Sequence, residues 1–245
     1  MALLGKGVVA IWNGINDTAE AEFVRWHVRE HIPERVGLPG FLRGRRYVSH
    51  DGQPKYFNFY ETETVDTLSS AAYRERLNDP SPWTRQVVSE FRDTSRTICD
   101  VVASYGIGEG AWIETNRFSS SVKPDDFQRH MLGSIVPMLK ERDGIVGVHL
   151  LQGTTPGSGA TKTAESTLRS QPDQSAAWIL LVEGVEIDSL VAARAALLSE
   201  TSVRSTAGGA PVQRGIYRLQ FSLTKTEIAN LMVTMTMLAP LAFLL

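Results

Sequence analysis

The feature that most constrains the fold of this 245-residue chain is an internal repeat. Three residues recur at a constant offset of 104, since Phe23, Pro33 and Gly40 correspond to Phe127, Pro137 and Gly144. Both segments predict a helix with a proline near its end, followed by a glycine and an apolar strand. A chain made of two such copies has to bury the apolar faces of both.

The flanking patterns predict the same order of elements, β-α-β-β-α-β, in each half of the chain. The first half has predicted strands over 7–12, 41–49, 55–61 and 97–105, and helices over 17–36, 65–77 and 83–91. The second half has predicted strands over 111–118, 145–151, 177–183 and 212–221, and helices over 124–141 and 187–198. Residues 152–176 are an insertion rich in Gly, Ser and Thr, and we expect a mobile loop over one mouth of the fold.

This order of elements is the ferredoxin-like arrangement, in which the helices cover only one face of the sheet. The other face must be covered too, and two fused units can cover it for each other. We therefore predict an α+β fold in which two ferredoxin-like units pack sheet to sheet as a pseudo-dimeric α+β barrel. The predicted units span residues 1–106 and 107–225, and the hydrophobic tail, residues 226–245, is predicted to form a C-terminal helix.

The composition excludes several classes of protein. The chain has 25 Lys+Arg and 27 Asp+Glu, so no basic excess points to nucleic acid as a partner. Its single cysteine, Cys99, excludes an internal disulfide framework and a multi-cysteine zinc site. Together with the lack of a signal-peptide pattern, this favours the cytoplasm. Residues 228–245 carry no charge and approach the length of a membrane span, but Pro240 favours a packed helix over membrane association.

Two histidines on the first predicted helix are candidates for acid–base chemistry. His27 and His31 are four residues apart and lie at one border of the apolar stripe, from which they could reach a pocket between helix and sheet. The alternative is an ordinary solvated helix flank. The corresponding residues of the second half are Met131 and Ile135, so a single site would belong to the first half. Residues 27–31 also match the H-x-x-E-H pattern, but no third ligand is marked and no metal is predicted.

The strand after the first helix adds polar candidates. Alternation places Arg43, Arg45 and Tyr47 on one face of this strand and Arg46 on the other. Tyr47 could donate a hydrogen bond or a proton, and Arg45 could hold a carboxylate or a phenolate, although ordinary cross-strand pairing fits them too. The aromatic residues that would line an apolar substrate cavity, or equally an ordinary core, include Trp26, Tyr60 and Tyr73.

Part of the first half resembles a known superfamily. The stretch contains His31-Ile32-Pro33-Glu34 and Leu38-Pro39-Gly40-Phe41, and is followed by Arg45-Arg46-Tyr47 and by Tyr56-Phe57-Asn58-Phe59-Tyr60-Glu61. These motifs resemble the dimeric α+β barrel superfamily and, within it, EthD-like proteins. The resemblance covers residues 5–105, and the second half is included only through the repeat.

The resemblance implies an enzyme that needs no cofactor and acts on a small hydrophobic molecule, aromatic or polyketide-like. The reaction types it implies are isomerase, cyclase, dehydratase and monooxygenase. His31 matches the His-x-Pro stretch of the family and is the implied general base, with His27 beside it and Tyr47 or Arg45 polarising a carbonyl or stabilising an enolate. Similar single-unit proteins dimerise to close the barrel, so this chain is expected to be a monomer or a homodimer.

Two other functions remain open. One is a non-catalytic or stress-related module that binds a hydrophobic ligand without turnover. The other is a haem protein, whose axial ligand would be one of the histidines His27, His31, His130 and His149.

Overall fold

The computed structural model describes residues 2–119, 122–154, 162–169 and 172–230. Within these ranges the strands are β1 (Gly7–Ile15), β2 (Phe41–Ser49), β3 (Tyr56–Thr62), β4 (Phe91–Gly106), β5 (Trp112–Phe118), β6 (Ile145–Gly153), β7 (Trp178–Gly184) and β8 (Val212–Thr224). The α-helices are α1 (Glu20–Trp26), α2 (Ile32–Gly37), α3 (Ala71–Asn78), α4 (Pro82–Val88), α5 (Pro124–His130), α6 (Val136–Lys140), α7 (Ala164–Thr167), α8 (Ile187–Leu197) and α9 (Glu200–Thr206).

These strands form one closed antiparallel barrel in the order β1-β3-β2-β8-β5-β7-β6-β4. The strands of the first half are adjacent in the order β4-β1-β3-β2, and those of the second half follow as β8-β5-β7-β6. The two halves join at two seams, β2 with β8 and β4 with β6. The structure thereby confirms an α+β fold with a closed barrel.

Side chains of the barrel alternate between its interior and its outer face, because successive residues of a strand point to opposite sides. Every strand contributes to an apolar core inside the barrel, which includes Trp12, Phe57, Ile179 and Tyr217. The helices cover the outer face and bury a second set of side chains against it. Of two adjacent residues in a strand, one therefore points into the barrel and the other lies under the helices. Polar side chains can contact each other only when they are on the same side of the sheet.

The long helical segment after the first strand of each half contains a π-helical turn, His27–His31 in one half and Met131–Ile135 in the other. Each turn lies just before a proline, Pro33 or Pro137. A proline has no N–H for the regular helical hydrogen bond, and its ring crowds the preceding turn, which the wider π turn accommodates. The helices predicted as continuous are therefore each interrupted by this turn.

A glycine in the left-handed region precedes the strand that follows. Gly40 has a φ of +78° and Gly144 a φ of +77°, a conformation that glycine adopts without steric cost. A Cβ atom at Gly40 would lie 2.8 Å from the Thr67 side chain, and one at Gly144 would collide with Ser189. The chain can thus reverse into β2 and β6 only because these residues have no side chain.

Some elements differ from the sequence-based prediction. Strand β4 begins at Phe91 rather than at 97, because it stays paired with β1 as far as Ile15. Helix α9 is not predicted by the sequence pattern, since its residues are mostly polar and a serine, Ser199, caps its start. Helix α7 lies inside the predicted insertion, and its start contacts α3 through the Ala164 N–H, which donates to Asn78 Oδ1 at 3.2 Å.

Most of the predicted C-terminal helix over 226–245 lies outside the described residues. Residues 225–230 are helical, and residues 231–245 are not described. Lys225 Nζ donates to the carbonyl oxygens at the end of α2, so the first turn of this segment is fixed against the first half. Across the described ranges, no helix is both long enough and apolar enough to cross a bilayer.

Candidate active site

A small cavity lies between the outer face of the sheet and the helical segment that carries the two candidate histidines. The space open to the centre of a water-sized sphere is about 30 Å³, which holds about two water molecules. Five of the sequence-predicted site residues line it, namely Trp26, His27, His31, Tyr60 and Tyr73. The structure therefore brings the predicted histidines and aromatic residues together in one place.

His27 is buried and both nitrogens of its ring are engaged. Nδ1 lies 3.0 Å from Arg46 Nη1, and Nε2 lies 3.3 Å from Tyr60 Oη. A guanidinium can only donate, so Nδ1 accepts, and Nε2 then carries the proton and donates to Tyr60. Burial, followed by the charges of Arg46 and Arg35, holds the pKa of His27 well below 6.5. His27 is therefore a neutral, fixed imidazole.

His31 differs from His27 in having a free ring nitrogen. Its Nδ1 is buried without a hydrogen-bond partner, and its ring packs against Trp26 with 4.3 Å between ring centroids. Burial and then the charge of Arg35 hold the pKa of His31 well below 6.5. With its proton on Nε2, the neutral imidazole can accept a proton or a hydrogen bond from a ligand at Nδ1.

The aromatic residues of the cavity are held in place by their polar atoms. Trp26 Nε1 donates to Thr84 Oγ1 at 3.1 Å, and Tyr73 Oη accepts from Arg96 Nη2 at 3.2 Å. Burial raises the pKa of Tyr60, so its hydroxyl stays protonated and remains a hydrogen-bond donor. Five aromatic side chains line the cavity, Trp26, Phe41, Tyr60, Tyr73 and Phe91, and the polar atoms of Trp26 and Tyr73 are held at fixed positions.

Arginines outnumber carboxylates among the side chains that line the cavity. Among the charged side chains that line it, three are arginines and one is a glutamate: Arg35, Arg96, Arg169 and Glu165. Arg35 pairs with Glu165 and also donates to Glu34 at 2.8 Å. Just outside the cavity, burial lowers the pKa of Arg46 to about 10. Arg169 pairs with Asp173 at 2.8 Å, whereas Arg96 donates to the uncharged Tyr73 hydroxyl, so Arg96 is the arginine best placed to meet negative charge on a ligand.

The predicted site residues Tyr47 and Arg45 do not reach this cavity, which corrects their grouping with the histidines. Both belong to the residues of β2 that point into the barrel, whereas the cavity lies on the outer face. Arg45 Nη1 donates to Glu183 Oε1 at 2.9 Å, and Tyr47 Oη is buried without a partner. The cavity-side arginine of this strand is the next residue, Arg46, which contacts His27.

Several residues in the cavity or directly beside it were not candidates on the sequence alone. Arg35 lies one turn after His31 on the same helical face, so the four-residue spacing of 27, 31 and 35 is a signal that points to it. Arg46 is marked by strand alternation, because it is on the face opposite Tyr47. Glu165 and Arg169 come from the insertion of the second half, and no local pattern indicates that they reach the first half.

The equivalent position in the second half is filled with apolar side chains. Met131 and Ile135 replace the two histidines and lie against Phe118, Leu198 and Val203. The space left there for the centre of a water-sized sphere is about 0 Å³. The cavity with polar groups thus belongs to the first half.

A metal site is not formed by the residues described. None of their His, Cys, Asp and Glu side chains come together in a group of three or more that could hold an ion. Within the H-x-x-E-H match, Glu30 Oε1 instead accepts hydrogen bonds from Ser81 Oγ at 2.5 Å and Thr84 Oγ1 at 3.2 Å. This carboxylate therefore serves the packing of α4 on the helix.

Haem, the alternative that the resemblance implies, is far larger than the described cavity, as is any aromatic substrate. Sites for ligands of that size have volumes of hundreds of Å³, whereas this one measures about 30 Å³. Both ring nitrogens of His149 are engaged, by Ser104 and Glu183, as are those of His27. His130 is exposed on α5 of the second half, away from the cavity. That the protein needs no cofactor stays a prediction.

Comparison with known proteins bears on the fold. No family model matches the chain, and no curated protein matches it in sequence. Among solved structures, it is similar to an anthrone oxidase-like protein, with a TM-score of 0.63, 11% identity, and coverage of 92% of this chain and 96% of that one. A candidate monooxygenase from Fusobacterium nucleatum gives a TM-score of 0.55 and 12% identity over 91% of this chain and 96% of that one.

A candidate chlorite dismutase is also similar, with a TM-score of 0.50, 12% identity, and coverage of 93% of this chain and 99% of that one. At such low identities the similarity concerns the fold alone. It shows that this chain shares the closed α+β barrel fold of these structures.

Proposed function

We propose that this protein is a cofactor-independent enzyme of the oxidase or monooxygenase type, acting on a small hydrophobic substrate that is aromatic or polyketide-like. The observation that carries the proposal is the unpaired Nδ1 of the neutral His31 beside a cavity lined by aromatic rings and arginines. The names of the similar structures, an anthrone oxidase-like protein and a candidate monooxygenase, support the reaction type.

In this proposal His31 is the general base. It removes a proton from an acidic CH₂ group next to an aromatic ring or carbonyl, and the substrate becomes an enolate-type anion. Arg35 and Arg96 stabilise the developing negative charge, and Tyr60 is a hydrogen-bond donor to the enolate oxygen. His27 acts indirectly, because its bonds to Arg46 and Tyr60 fix both groups below the cavity.

Dioxygen is the oxidant in this scheme. The anion gives up electrons to O₂ and forms a carbon–oxygen bond, which yields a hydroperoxide once a proton is returned. Loss of water then leaves a carbonyl, so that the CH₂ group and O₂ become C=O and H₂O. One oxygen atom ends in the product and the other in water, and no external reductant is consumed.

Access to the site requires a change in the contact between the two halves. The cavity of about 30 Å³ is smaller than any aromatic substrate. Arg35 and Glu165 form a buried ion pair across it, which links α2 of the first half to α7 of the insertion. Withdrawal of α7 is the step that would open the space beside Trp26 and Tyr73 for a substrate.

We also propose that the chain consists of two fused ferredoxin-like units, residues 1–106 and 107–225, of which the first is EthD-like. The repeated strand order, the π turns before Pro33 and Pro137, and the left-handed Gly40 and Gly144 support this division. Because the fused chain closes its barrel by itself, dimerisation is not needed for closure. Sedimentation of the purified protein distinguishes a monomer from a homodimer.

Anthrone in aerated buffer is a direct probe of the proposed function. We expect consumption of O₂ in equal amount to the quinone formed, measured with an oxygen electrode and by absorbance, in the presence of a metal chelator. Substitution of His31 by alanine should abolish most of the turnover. Tight binding of anthrone without turnover would favour the non-catalytic ligand-binding module, and an absence of both would contradict the choice of substrate class.

A further inference from the structure

A second constellation of polar residues lies inside the barrel, at the seam between β4 and β6. Ser104 Oγ is 2.9 Å from His149 Nδ1, and His149 Nε2 is 3.1 Å from Glu183 Oε1. None of these three residues lines the cavity of His27 and His31. A hydroxyl, an imidazole and a carboxylate joined in this order are the groups that activate a serine as a nucleophile.

The charges around Glu183 fix the direction of these hydrogen bonds. Burial raises the pKa of this carboxyl, but Arg45 and His149 outweigh that effect, so that the pKa lies below its usual range. Arg45 Nη1 and the Gly110 N–H donate to its two oxygens at 2.9 Å and 3.2 Å. An ionised carboxylate accepts only, so His149 carries its proton on Nε2 and donates it to Glu183.

It follows that His149 Nδ1 presents a lone pair to Ser104. His149 is fully buried, and burial lowers its pKa, so the ring is neutral at neutral pH. The Ser104 hydroxyl therefore donates its proton to His149, while the Leu3 N–H donates to Ser104 Oγ at 2.8 Å. The Leu3 N–H is thus a backbone hydrogen-bond donor beside the serine oxygen that would attack a substrate.

Ser104 is partly exposed to solvent, whereas its two partners are fully buried. It is half-buried and lines an open groove of about 480 Å³ between the end of β4 and the start of β6. The groove wall is largely apolar, with Tyr105, Ile107 and Val146 among its residues, and it also includes Lys140. A volume of that order accommodates a small organic molecule with an apolar body.

From this arrangement we propose that Ser104, His149 and Glu183 form a second catalytic site, which cleaves small esters with an apolar acyl group. Ser104 Oγ attacks the acyl carbon and passes its proton to His149 Nδ1. The ester carbon–oxygen bond breaks, the leaving alcohol takes the proton from His149, and the acyl group remains on Ser104. Water then attacks the acyl carbon with His149 as the base, which releases the acid and restores the serine.

The test uses the intact protein with diisopropyl fluorophosphate, which phosphorylates nucleophilic serines and releases fluoride. We expect one adduct per chain, located on Ser104 by peptide mass spectrometry, and a matching loss of p-nitrophenyl butyrate hydrolysis. A Ser49→Ala variant is the matched control. Ser49 is also a half-buried strand serine, but its hydroxyl donates to the Gly52 carbonyl rather than to a histidine, so labelling should be unchanged.

Two variants test the roles of Ser104 and His149. Ser104→Ala should lose both the adduct and the esterase activity, and His149→Gln should lower the labelling rate by a factor of at least about 10². Circular dichroism shows whether each variant is folded. The proposal is overturned if the wild-type protein acquires no adduct, if the adduct is on another residue, or if Ser104→Ala retains the esterase activity.

Discussion

The two halves of the chain use the same backbone for different purposes. In the first half the π turn carries His27 and His31 beside a cavity, and in the second the equivalent turn carries Met131 and Ile135 in a packed core. The helix interruption is therefore not itself a mark of catalysis. What distinguishes the halves is the chemistry of two side chains and the water-sized space beside them.

The largest expected difference between the halves concerns catalysis. In the first half, His31→Ala should lower the rate of anthrone turnover by a factor of about 10²–10⁴, because it removes the general base. At the equivalent position of the second half, Ile135→Ala should leave the rate constant unchanged while lowering the free energy of unfolding by about 2–5 kcal/mol, as expected for a truncated core residue. Steady-state kinetics and urea unfolding measure the two effects. Equal losses of activity in both folded variants would contradict a site confined to the first half.

Exchanging the residues between halves tests how far each environment is adapted to its side chain. His27→Met should lower the free energy of unfolding by about 1–3 kcal/mol, because Arg46 and Tyr60 each lose a buried partner. Met131→His should cost a similar amount, since the imidazole would be buried among apolar side chains without a partner. Thermal or urea unfolding of both variants provides the values. An unchanged free energy of unfolding in either variant would contradict the close packing around that position.

The pH dependence of stability should also distinguish the π turn that carries His27 and His31 from its apolar counterpart. The pKa values of His27 and His31 are lowered in the folded state, so below about pH 6.5 the unfolded chain binds more protons. The free energy of unfolding should therefore fall as the pH drops through this range, by up to about 1.4 kcal/mol per pH unit for each histidine. A His27→Met, His31→Ile double variant, which copies the second half, should show a shallower slope in urea titrations at several pH values. Identical slopes would mean that these histidines are not held neutral.

The smallest expected difference lies on the exposed side of the same helices. Arg25 pairs with Glu22 at 2.7 Å, and its counterpart Arg129 pairs with Asp126 at 2.9 Å. Arg129→Ala should change the free energy of unfolding by less than about 0.5 kcal/mol. Arg25→Ala should cost about 0.5 kcal/mol more, because its guanidinium also lies 5.3 Å from the Trp83 ring. Equal values for both variants would show that the contact with Trp83 contributes nothing.

The sequence predicts the barrel well because the information for it is local. Apolar alternation indicates the strands, and the spacing of Phe23, Pro33 and Gly40 from their counterparts indicates two similar sets of elements. The interruption of the helix is not visible in the same way. Pro33 marks a local disturbance, but the choice between a kink, an end and a π turn depends on how the helix packs.

The sequence predicts only part of the site, because some of its residues are far apart in the chain. His27, His31 and Trp26 are neighbours in sequence, so a helical wheel already brings them together. Glu165 reaches the cavity from the other half of the chain, and such a contact leaves no trace in a local pattern. Strand alternation also separates Tyr47 from Arg46 correctly, but only the structure shows which face carries the cavity.

The two seams of the barrel affect how the chain folds during its synthesis. Seam β4–β6 joins strands that are close in sequence, whereas seam β2–β8 pairs Arg46 with Phe221, close to the opposite end of the described chain. During synthesis the first four strands leave the ribosome long before β8 does. Until then β2 has an exposed edge, which is the kind of surface that recruits other strands and promotes aggregation. Closure of the ring is thus a late event with a high contact order, and we expect it to limit the rate of folding.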